Sequence, residues 1–449
     1  MAATKDMTEG SPAKLILFFT LPLIAGNIFQ QLYAFVDTLI VGRILGVEAL
    51  AAVGCTGPLL FLVVGFIMGT TSGFSIYTGQ RYGARDERGV RQSAAACVWM
   101  SLATAAILTL LSYFSCMKLL VWMQTPPEII ENAYGFIHIV FGGLTVTFGL
   151  MMTTNILRAL GDSRMPTMIL AFALSCNIVL EPLFIMHFGW GVPGAAWAVI
   201  AAQGIGTLAA IAYIVKRVPA LHIRREDWRV PCKVLLRHLQ MGLPMGFQAS
   251  IIAIGAIILQ AALNGLGPTA VASYAASQKV DAIALMPMMS FGMAMAAYTA
   301  QNYGARKFSR IAEGVKKCIY MSVGFSLVAG AFNAIFGSEL VTLFVGDSET
   351  QVIAYGRTYL LIQGAAYWIL SLLFIFRSTL QGLGDTFVPT FAGVMELVMR
   401  AAAAIVLVRF FDFAGACFAN PMAWLGSCVP LAIAFYLRRN AMRKMIAAE

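Results

Sequence analysis

Charged side chains are scarce in this sequence. Only 12% of its 449 residues are Asp, Glu, Lys or Arg, whereas 59% are hydrophobic, and the mean hydropathy is +0.79. A water-soluble domain of this length cannot bury so much apolar surface. The composition therefore excludes a soluble enzyme or a soluble binding module and predicts a protein of the lipid bilayer.

Motifs for catalysis and metal binding are also missing. The chain has four histidines and contains no HExxH motif, nucleophile elbow or paired-acid motif, which argues against a membrane-embedded enzyme. Its eight cysteines form no CxxC pair, so we interpret them as small apolar side chains. A channel is disfavoured because no selectivity filter is recognisable. We expect no enzyme activity and no cofactor.

Long apolar runs are abundant. A membrane-spanning helix needs about 20 mostly apolar residues, and polar or Gly/Pro-rich breaks divide the chain into twelve runs of suitable length. The predicted spans cover residues 15–40, 50–78, 93–114, 130–157, 166–188, 194–215, 238–262, 270–299, 314–336, 351–376, 388–408 and 414–437. The predicted fold is an all-α integral membrane protein with twelve transmembrane helices.

Basic residues concentrate on one side of these spans. Under strict alternation the opposite loops carry only Arg43, Lys118 and Arg409. The positive-inside rule then places both termini and the 216–237 connection in the cytoplasm, as in a multi-pass protein of the cell membrane. Because basic residues that flank helices account for the net charge of +10, we expect no nucleic-acid partner.

The two halves of the chain repeat each other. YTGQRYGARD at 77–86 recurs as YTAQNYGARK at 298–307, RALGDSRMPT at 158–167 recurs as QGLGDTFVPT at 381–390, and Leu21-Pro22 recurs as Leu243-Pro244. Three matches at nearly one offset indicate duplication. Since each half holds six spans, the repeats are predicted to be parallel six-helix bundles. The predicted domains are a lobe at 1–215, a cytoplasmic linker at 216–237 and a lobe at 238–449.

The repeated motifs have structural interpretations. RYGAR and NYGAR each follow a span on the predicted cytoplasmic side, where glycine permits a tight turn and arginine meets lipid phosphate. LGD followed by proline predicts a helix stop, an acidic turn and a helix start. We therefore interpret both motifs as architectural.

Four acidic residues lie deep within apolar spans. They are Asp37, Glu181, Asp281 and Glu396. A charge at the bilayer centre costs at least about 2.5 kcal/mol, so each is a functional candidate. Asp281 is two residues from Lys279, and Glu396 is one helical turn from Arg400. A structural ion pair is the simpler interpretation for these two.

Asp37 and Glu181 have no cation nearby in sequence. Asn177 precedes Glu181 by four residues, so both project from one helix face, and Pro182 loosens the backbone bonding of that turn. Carboxylate and amide oxygens can hold a proton or bind a small hard cation. Pro22, about four turns before Asp37, permits a bend that is either a plain kink or a hinge. The sequence does not determine whether the first and fifth spans touch.

At these residues the sequence resembles the multidrug and toxic compound extrusion (MATE) family. The resemblance rests, in chain order, on LPLIAGNIFQQLYAFVDTLIVGRILGVEALAAVG, RALGDSRMPT, NIVLEPLF followed by GWGVPGAAWAV, and ASQKVDAIALMPMMSFGMA. It implies two six-helix bundles around a central cavity. It also implies a secondary antiporter that exports amphipathic, often cationic organic compounds in exchange for inward H⁺ or Na⁺ by alternating access. The expected partners are small organic molecules and the bilayer, and we expect a monomer.

Within the family the sequence is more similar to the DinF-like and MepA-like prokaryotic branches. This resemblance implies an ion-coupling site, for H⁺ or Na⁺, at Asp37, Asn177 and Glu181, and a conformational hinge at Pro22. Glu181 departs from the usual aspartate, and its longer side chain bears on ion preference. The NorM-like branch has a glutamate in the seventh span, where this sequence offers only Gln248 and Gln260. We therefore do not expect a sodium site of that kind.

Candidate substrate-binding side chains are polar, aromatic or sulfur-containing. They are Tyr33, Gln248, Met286 and Met289, with Phe61, Tyr367 and Trp368 as further aromatic candidates. Such side chains adapt to varied ligands, although on membrane helices they also pack or face lipid. A lipid or glycan-intermediate flippase of the same superfamily is the alternative function, because Arg377 and Arg400 would suit a basic cavity.

Overall fold

The structure is a computed structural model that describes residues 6–448, with side chains as far as residue 442. Helices make up nearly all of this range. They are α1 Pro12–Leu45, α2 Val47–Cys55, α3 Gly57–Gly83, α4 Glu87–Trp122, α5 Ile130–Gly142, α6 Leu144–Ala159, α7 Arg164–Pro182, α8 Gly191–Arg217, α9 Cys232–Asn264, α10 Pro268–Gly304, α11 Phe308–Val345, α12 Thr350–Gly382, α13 Phe387–Cys417 and α14 Ala419–Ala448.

Most of these helices can span a membrane. Among the described residues, eleven helices are long and apolar enough, and the bent pair α5–α6 makes twelve when it is counted as one span. Helices suit a bilayer because they satisfy backbone donors and acceptors within one segment. Large apolar side chains such as Phe35 (65% exposed) and Ile335 (69% exposed) stand on the outside, as expected of surfaces that face lipid. The predicted all-α membrane fold is confirmed.

Two predicted spans consist of two helices each. The 50–78 span is divided at Thr56, shortly before Pro58, because proline cannot donate the helical hydrogen bond. The 130–157 span bends by 51° between α5 and α6, next to Gly143, where a glycine pair permits a kink. Hydropathy alone does not detect such interruptions, since both sides of each break are apolar.

The break predicted at 409–413 coincides with an interruption of helix α13. Helix α13 runs on to Cys417, although Asp412 interrupts its path with φ 49° and ψ −127°. The chain then returns so closely that a Cβ on Gly415 would overlap the carbonyl of Leu407. The polar residues that suggested a break therefore mark a kink near the end of the helix.

The chain forms two compact units. The first is built on Ala25–Gly246, and the second on Met7–Ile24 together with Phe247–Glu449. Helices α1 and α9 each contribute residues to both units, because the two boundaries fall inside them. The lobes at 1–215 and 238–449 and the linker at 216–237 stay a prediction.

Each unit has an apolar core of its own. In the first unit, Phe141 and Phe148 are almost fully buried where α4, α5 and α6 meet. In the second unit, Ile16 and Phe19 from the start of α1 pack in the same core as Met288 of α10. The beginning of α1 is thus fixed by burial in the second unit.

Duplicated motifs form matching turns in the two units. Arg85 after α3 and Arg306 after α10 both have φ 56°, and Gly161 and Gly384 in the two LGD motifs both have φ 85°. Asp162 accepts a hydrogen bond from the backbone N of Met165 at 3.0 Å, as an acidic helix start requires. In the first pair of motifs, however, the left-handed residue is arginine and not the predicted glycine.

Candidate functional site

Helices α1 and α7 lie side by side in the first unit. A Cβ on Gly26 of α1 would lie 2.8 Å from Thr167 Cγ2 of α7, so the absence of a side chain permits the close approach. Farther along α1, the Tyr33 hydroxyl lies 3.1 Å from Oδ1 of Asn177 in α7. The contact between the first and fifth predicted spans, which the sequence does not determine, is therefore present.

The three predicted coupling residues come together at this contact. The Tyr33 hydroxyl donates to Asp37 Oδ1 at 3.0 Å, and the carboxyl groups of Asp37 and Glu181 lie within hydrogen-bonding reach of each other. Asn177 is 2% exposed and Glu181 is fully buried, whereas Asp37 is half-buried. Their convergence is a structural observation, and their role as a coupling site stays a prediction.

The hydrogen bonds of Tyr33 indicate how the Asn177 amide is oriented. One hydroxyl proton cannot serve both Asp37 and Asn177 at once. As placed, Asn177 Nδ2 has no acceptor among the described residues. If the amide is rotated so that its N and O exchange places, Nδ2 donates to the Tyr33 oxygen and Tyr33 donates to Asp37. This orientation gives a continuous hydrogen-bonded chain that ends on the Asp37 carboxylate.

Among the described residues, no protein cation balances the two carboxylates. In the described part of the chain, no ion pair involves Asp37 or Glu181, and neither Glu181 oxygen has a hydrogen-bond donor. Two adjacent carboxylates in apolar surroundings repel each other and lose solvation, so at least one proton or a bound cation must accompany them. The oxygens of Tyr33, Asp37, Asn177 and Glu181 are hard ligands of the kind that suits Na⁺.

Two prolines modify the helices that carry this cluster. Directly after Pro182, α7 continues as a π-helical turn over Leu183–His187, so the predicted loosening is present. Pro22 lies inside α1 and cannot donate the helical hydrogen bond to the carbonyl of Phe18. It precedes Ala25, where α1 passes from the second unit into the first. The predicted hinge thus lies next to a unit boundary, and its role stays a prediction.

Asp281 of α10 is held by tyrosines. Tyr367 and Tyr359 donate to Oδ1 and Oδ2 at 2.5 and 3.1 Å, and Asn333 Nδ2 donates to the Tyr367 hydroxyl at 2.9 Å. Lys279 is exposed and makes no ion pair with Asp281 in the described structure. The ion-pair interpretation is wrong for Asp281, because residues two apart on a helix do not face each other.

Glu396 of α13 lies between two arginines. Arg377 Nη2 donates to Oε2 at 2.6 Å, and Arg400 Nη2 donates to Oε1 at 2.9 Å. Their exposures are only 4% for Glu396, 5% for Arg400 and 8% for Arg377. The predicted pair with Arg400 is confirmed, and Arg377 joins it from α12. The three side chains together carry one net positive charge.

The predicted substrate-binding side chains lie in different surroundings. Tyr33 belongs to the carboxylate cluster. Gln248 is 4% exposed, donates to the Pro389 carbonyl and accepts from Gln381 at 3.0 Å. Met286 is half-buried and Met289 is 38% exposed. Their role in substrate binding stays a prediction.

Known proteins are similar to this chain in sequence. The family model MatE matches residues 22–183 and again residues 244–406. "Probable multidrug resistance protein YpnP" of Bacillus subtilis is 29% identical, with 84% of each chain covered. "Probable multidrug resistance protein YoeA" of the same organism is 27% identical, with 88% of this chain and 86% of the relative covered.

The fold has a counterpart among solved structures. An outward-facing conformation of a multidrug resistance MATE family transporter of the MOP superfamily superposes with a TM-score of 0.90 at 23% identity, covering 97% of this chain and 98% of the other. The two family-model matches begin 222 residues apart, in agreement with the internal repeat, and together cover more than half of the sequence. The chain therefore belongs to the MatE family, the multidrug and toxic compound extrusion (MATE) transporters.

Proposed function

We propose that the protein is a secondary active antiporter that exports amphipathic, often cationic organic compounds in exchange for inward H⁺ or Na⁺. The observation that carries this proposal is the pair Asp37 and Glu181, two carboxylates in mutual reach with no cation among the described residues. A permanently compensated ion pair cannot exchange its charge, whereas such a pair must take up a proton or a cation from outside the protein. The names of the two Bacillus relatives refer to multidrug resistance, which agrees with export of varied organic compounds.

Coupling follows from the difference in charge between the cluster with a bound ion and the cluster without one. A proton or Na⁺ bound at Asp37 and Glu181 removes negative charge from the cluster, which weakens the attraction for a cationic substrate and favours its release. When the ion leaves toward the cytoplasm, the charge returns and substrate can bind again. Exchange requires only that ion and substrate oppose each other's binding.

Individual residues have distinct proposed roles at this site. Asp37 is the exchangeable group, because it is half-buried while Glu181 is fully buried. Tyr33 orients its hydroxyl toward Asp37 and links it to Asn177. Ion binding affects substrate binding either by direct competition or by a change in the bend at Pro22. We propose that the protein works as a monomer in the cell membrane, with both termini in the cytoplasm.

The second candidate function is a flippase for lipid or glycan intermediates. The cluster of Arg377, Glu396 and Arg400 favours it, since a net positive charge suits an anionic headgroup. Both arginines, however, already contact Glu396 and are at most 8% exposed. We therefore favour the antiporter.

Purified protein in liposomes distinguishes these functions. The vesicles hold a fluorescent lipophilic cation, and proton and sodium gradients are imposed separately. Export driven by one gradient, together with ion flux in the opposite direction, is expected. Dye movement at the same rate with and without either gradient would contradict antiport. Translocation of a labelled lipid without dye export would favour the flippase.

A further inference from the structure

A cavity opens in the first unit where α3 ends and α4 begins. Its volume is about 240 Å³. Its lining is mostly polar and consists of Tyr77, Arg81, Asp86, Arg88, Gly89, Gln92 and Val234. This position is the first YGAR turn, at the end of the spans that the charge pattern assigns to the cytoplasm. The cavity plays no part in the proposed ion site.

The repeat provides an internal comparison, because the second YGAR turn is closed by the chain itself. Residues 7–10 lie against it, with Met7 1% and Thr8 3% exposed. Asn302 Nδ2 donates to the Met7 carbonyl at 3.1 Å, and Lys307 Nζ donates to the Thr8 carbonyl at 3.0 Å. Arg310 Nη2 donates to the carbonyl of Gly10 at 3.0 Å. Three side-chain donors of the second turn are thus used to bind backbone oxygens.

At the first turn, the described part of the N-terminus contributes an ion pair between Asp6 and Arg85 at 3.7 Å, and residues 7–10 lie instead against the second turn. Residues 229–232, which correspond to residues 7–10 at the repeat offset, are largely exposed. The residues that correspond to Asn302 and Arg310 are Arg81 and Gly89. The turn itself is therefore repeated in both units, whereas the segment that fills the second turn is not repeated at the first.

The charges of the open cavity favour an anion. Arg81 contacts the Tyr77 hydroxyl and pairs with Asp86 at 3.1 Å. Arg88 is exposed and has no partner among the described residues, and Gln92 is likewise without one. Two arginines and one aspartate leave one net positive charge with free donors beside it. A phosphate group matches such donors in charge and in its number of acceptors.

We propose that this cavity binds the phosphate of an anionic phospholipid from the cytoplasmic leaflet. Arg88 and Gln92 donate to the phosphate, and Arg81 adds positive charge from the side. The lipid is favoured over a soluble phosphate because the cavity lies at the end of α3 and the start of α4, where headgroups surround a membrane helix. In addition, the anionic cytoplasmic leaflet attracts basic side chains. The bound headgroup would take the place that residues 7–10 occupy in the second unit.

Lipid retention measured by native mass spectrometry tests this site. The full-length protein is taken from nanodiscs that contain phosphatidylglycerol or only phosphatidylcholine, and retained lipids are counted. Arg88→Gln removes the free charge, Val234→Trp fills the cavity without changing charge, and Arg225→Gln removes an exposed linker charge as the matched control. We expect wild type and Arg225→Gln to retain phosphatidylglycerol, and the two cavity variants to bind it roughly fivefold more weakly.

Two outcomes would overturn the proposal. Equal phosphatidylglycerol retention by Arg88→Gln, Val234→Trp and wild type would show that the lipid binds elsewhere. Displacement of the lipid by millimolar glycerol phosphate, or equal binding of inorganic phosphate, would identify a soluble phosphate as the ligand and contradict the lipid. Because retention is measured without transport, neither result depends on the proposed antiport function.

Discussion

Asn177 of α7 and Arg400 of α13 stand at equivalent positions of the two repeats, 223 residues apart, the offset that relates the two LGD motifs. The counterpart of Asp37 is Leu259, which is fully buried, and the counterpart of Glu181 is Ala404. The two repeats share their helices, but at the positions of the first unit's carboxylate cluster the second unit has an arginine and apolar side chains. The proposed ion site is therefore expected once per chain.

Glu181→Asp tests whether this carboxylate contacts the coupling ion. Shortening the side chain by one methylene moves its oxygens away from Asp37, so the ion concentration for half-maximal export should rise severalfold. Initial export rates over a series of sodium concentrations and pH values measure the change. Glu48→Asp, the same substitution at an exposed position of α2, should leave the ion dependence as in wild type. An unaltered dependence in Glu181→Asp would rule out a direct ligand role.

Tyr33→Phe removes the hydroxyl that links Asp37 to Asn177. A hydrogen bond to a charged group contributes about 1.5 kcal/mol, which corresponds to roughly tenfold in an equilibrium. We expect gradient-driven export to fall by up to this factor while the purified protein keeps its thermal stability. Tyr320→Phe on the exposed surface of α11 is the control. Full activity in Tyr33→Phe would mean that the hydroxyl has no part in ion binding.

Pro22→Ala restores a backbone donor in α1 and should favour a straighter helix. If bending at this residue couples ion to substrate, turnover should fall severalfold while equilibrium binding of the substrate changes little. Transport rates in vesicles and dye binding in detergent provide the two quantities. Unchanged turnover would make Pro22 a plain kink.

Glu396→Gln tests the arginine cluster as a structural element. Without its carboxylate, Arg377 and Arg400 are two buried like charges, and removal of one partner from such a network costs about 3 kcal/mol. We expect a clearly lower unfolding temperature than for wild type in the same detergent. Glu339→Gln, at an exposed position, should have no such effect. Equal unfolding temperatures would indicate that Glu396 does not stabilise the second unit.

Most of the fold could be predicted because each membrane helix corresponds to one continuous apolar stretch of sequence. The 51° bend at Gly143 could not, because it depends on backbone conformation and packing within an apolar run, whereas the kink at Asp412 lies in the break predicted at 409–413.

Only part of the candidate site could likewise be predicted from the sequence. The pair Asn177 and Glu181 follows from a four-residue spacing, and the same spacing between Tyr33 and Asp37 was the signal that could have assigned Tyr33 to the cluster. Contacts between helices carry no such signal. Arg377 reaches Glu396 across 19 residues of sequence, and tyrosines rather than Lys279 contact Asp281.

Asp37→Asn in proteoliposomes is the most direct test of the proposed exchange. Dye export and ion flux are recorded together under separate proton and sodium gradients, with Glu48→Gln as a control that removes an exposed carboxylate. We predict that Asp37→Asn inserts and folds normally but loses both the gradient-driven export and the opposing ion flux, while Glu48→Gln retains them. Normal ion-coupled export by a well-folded Asp37→Asn protein would contradict the assignment of Asp37 as the exchangeable group.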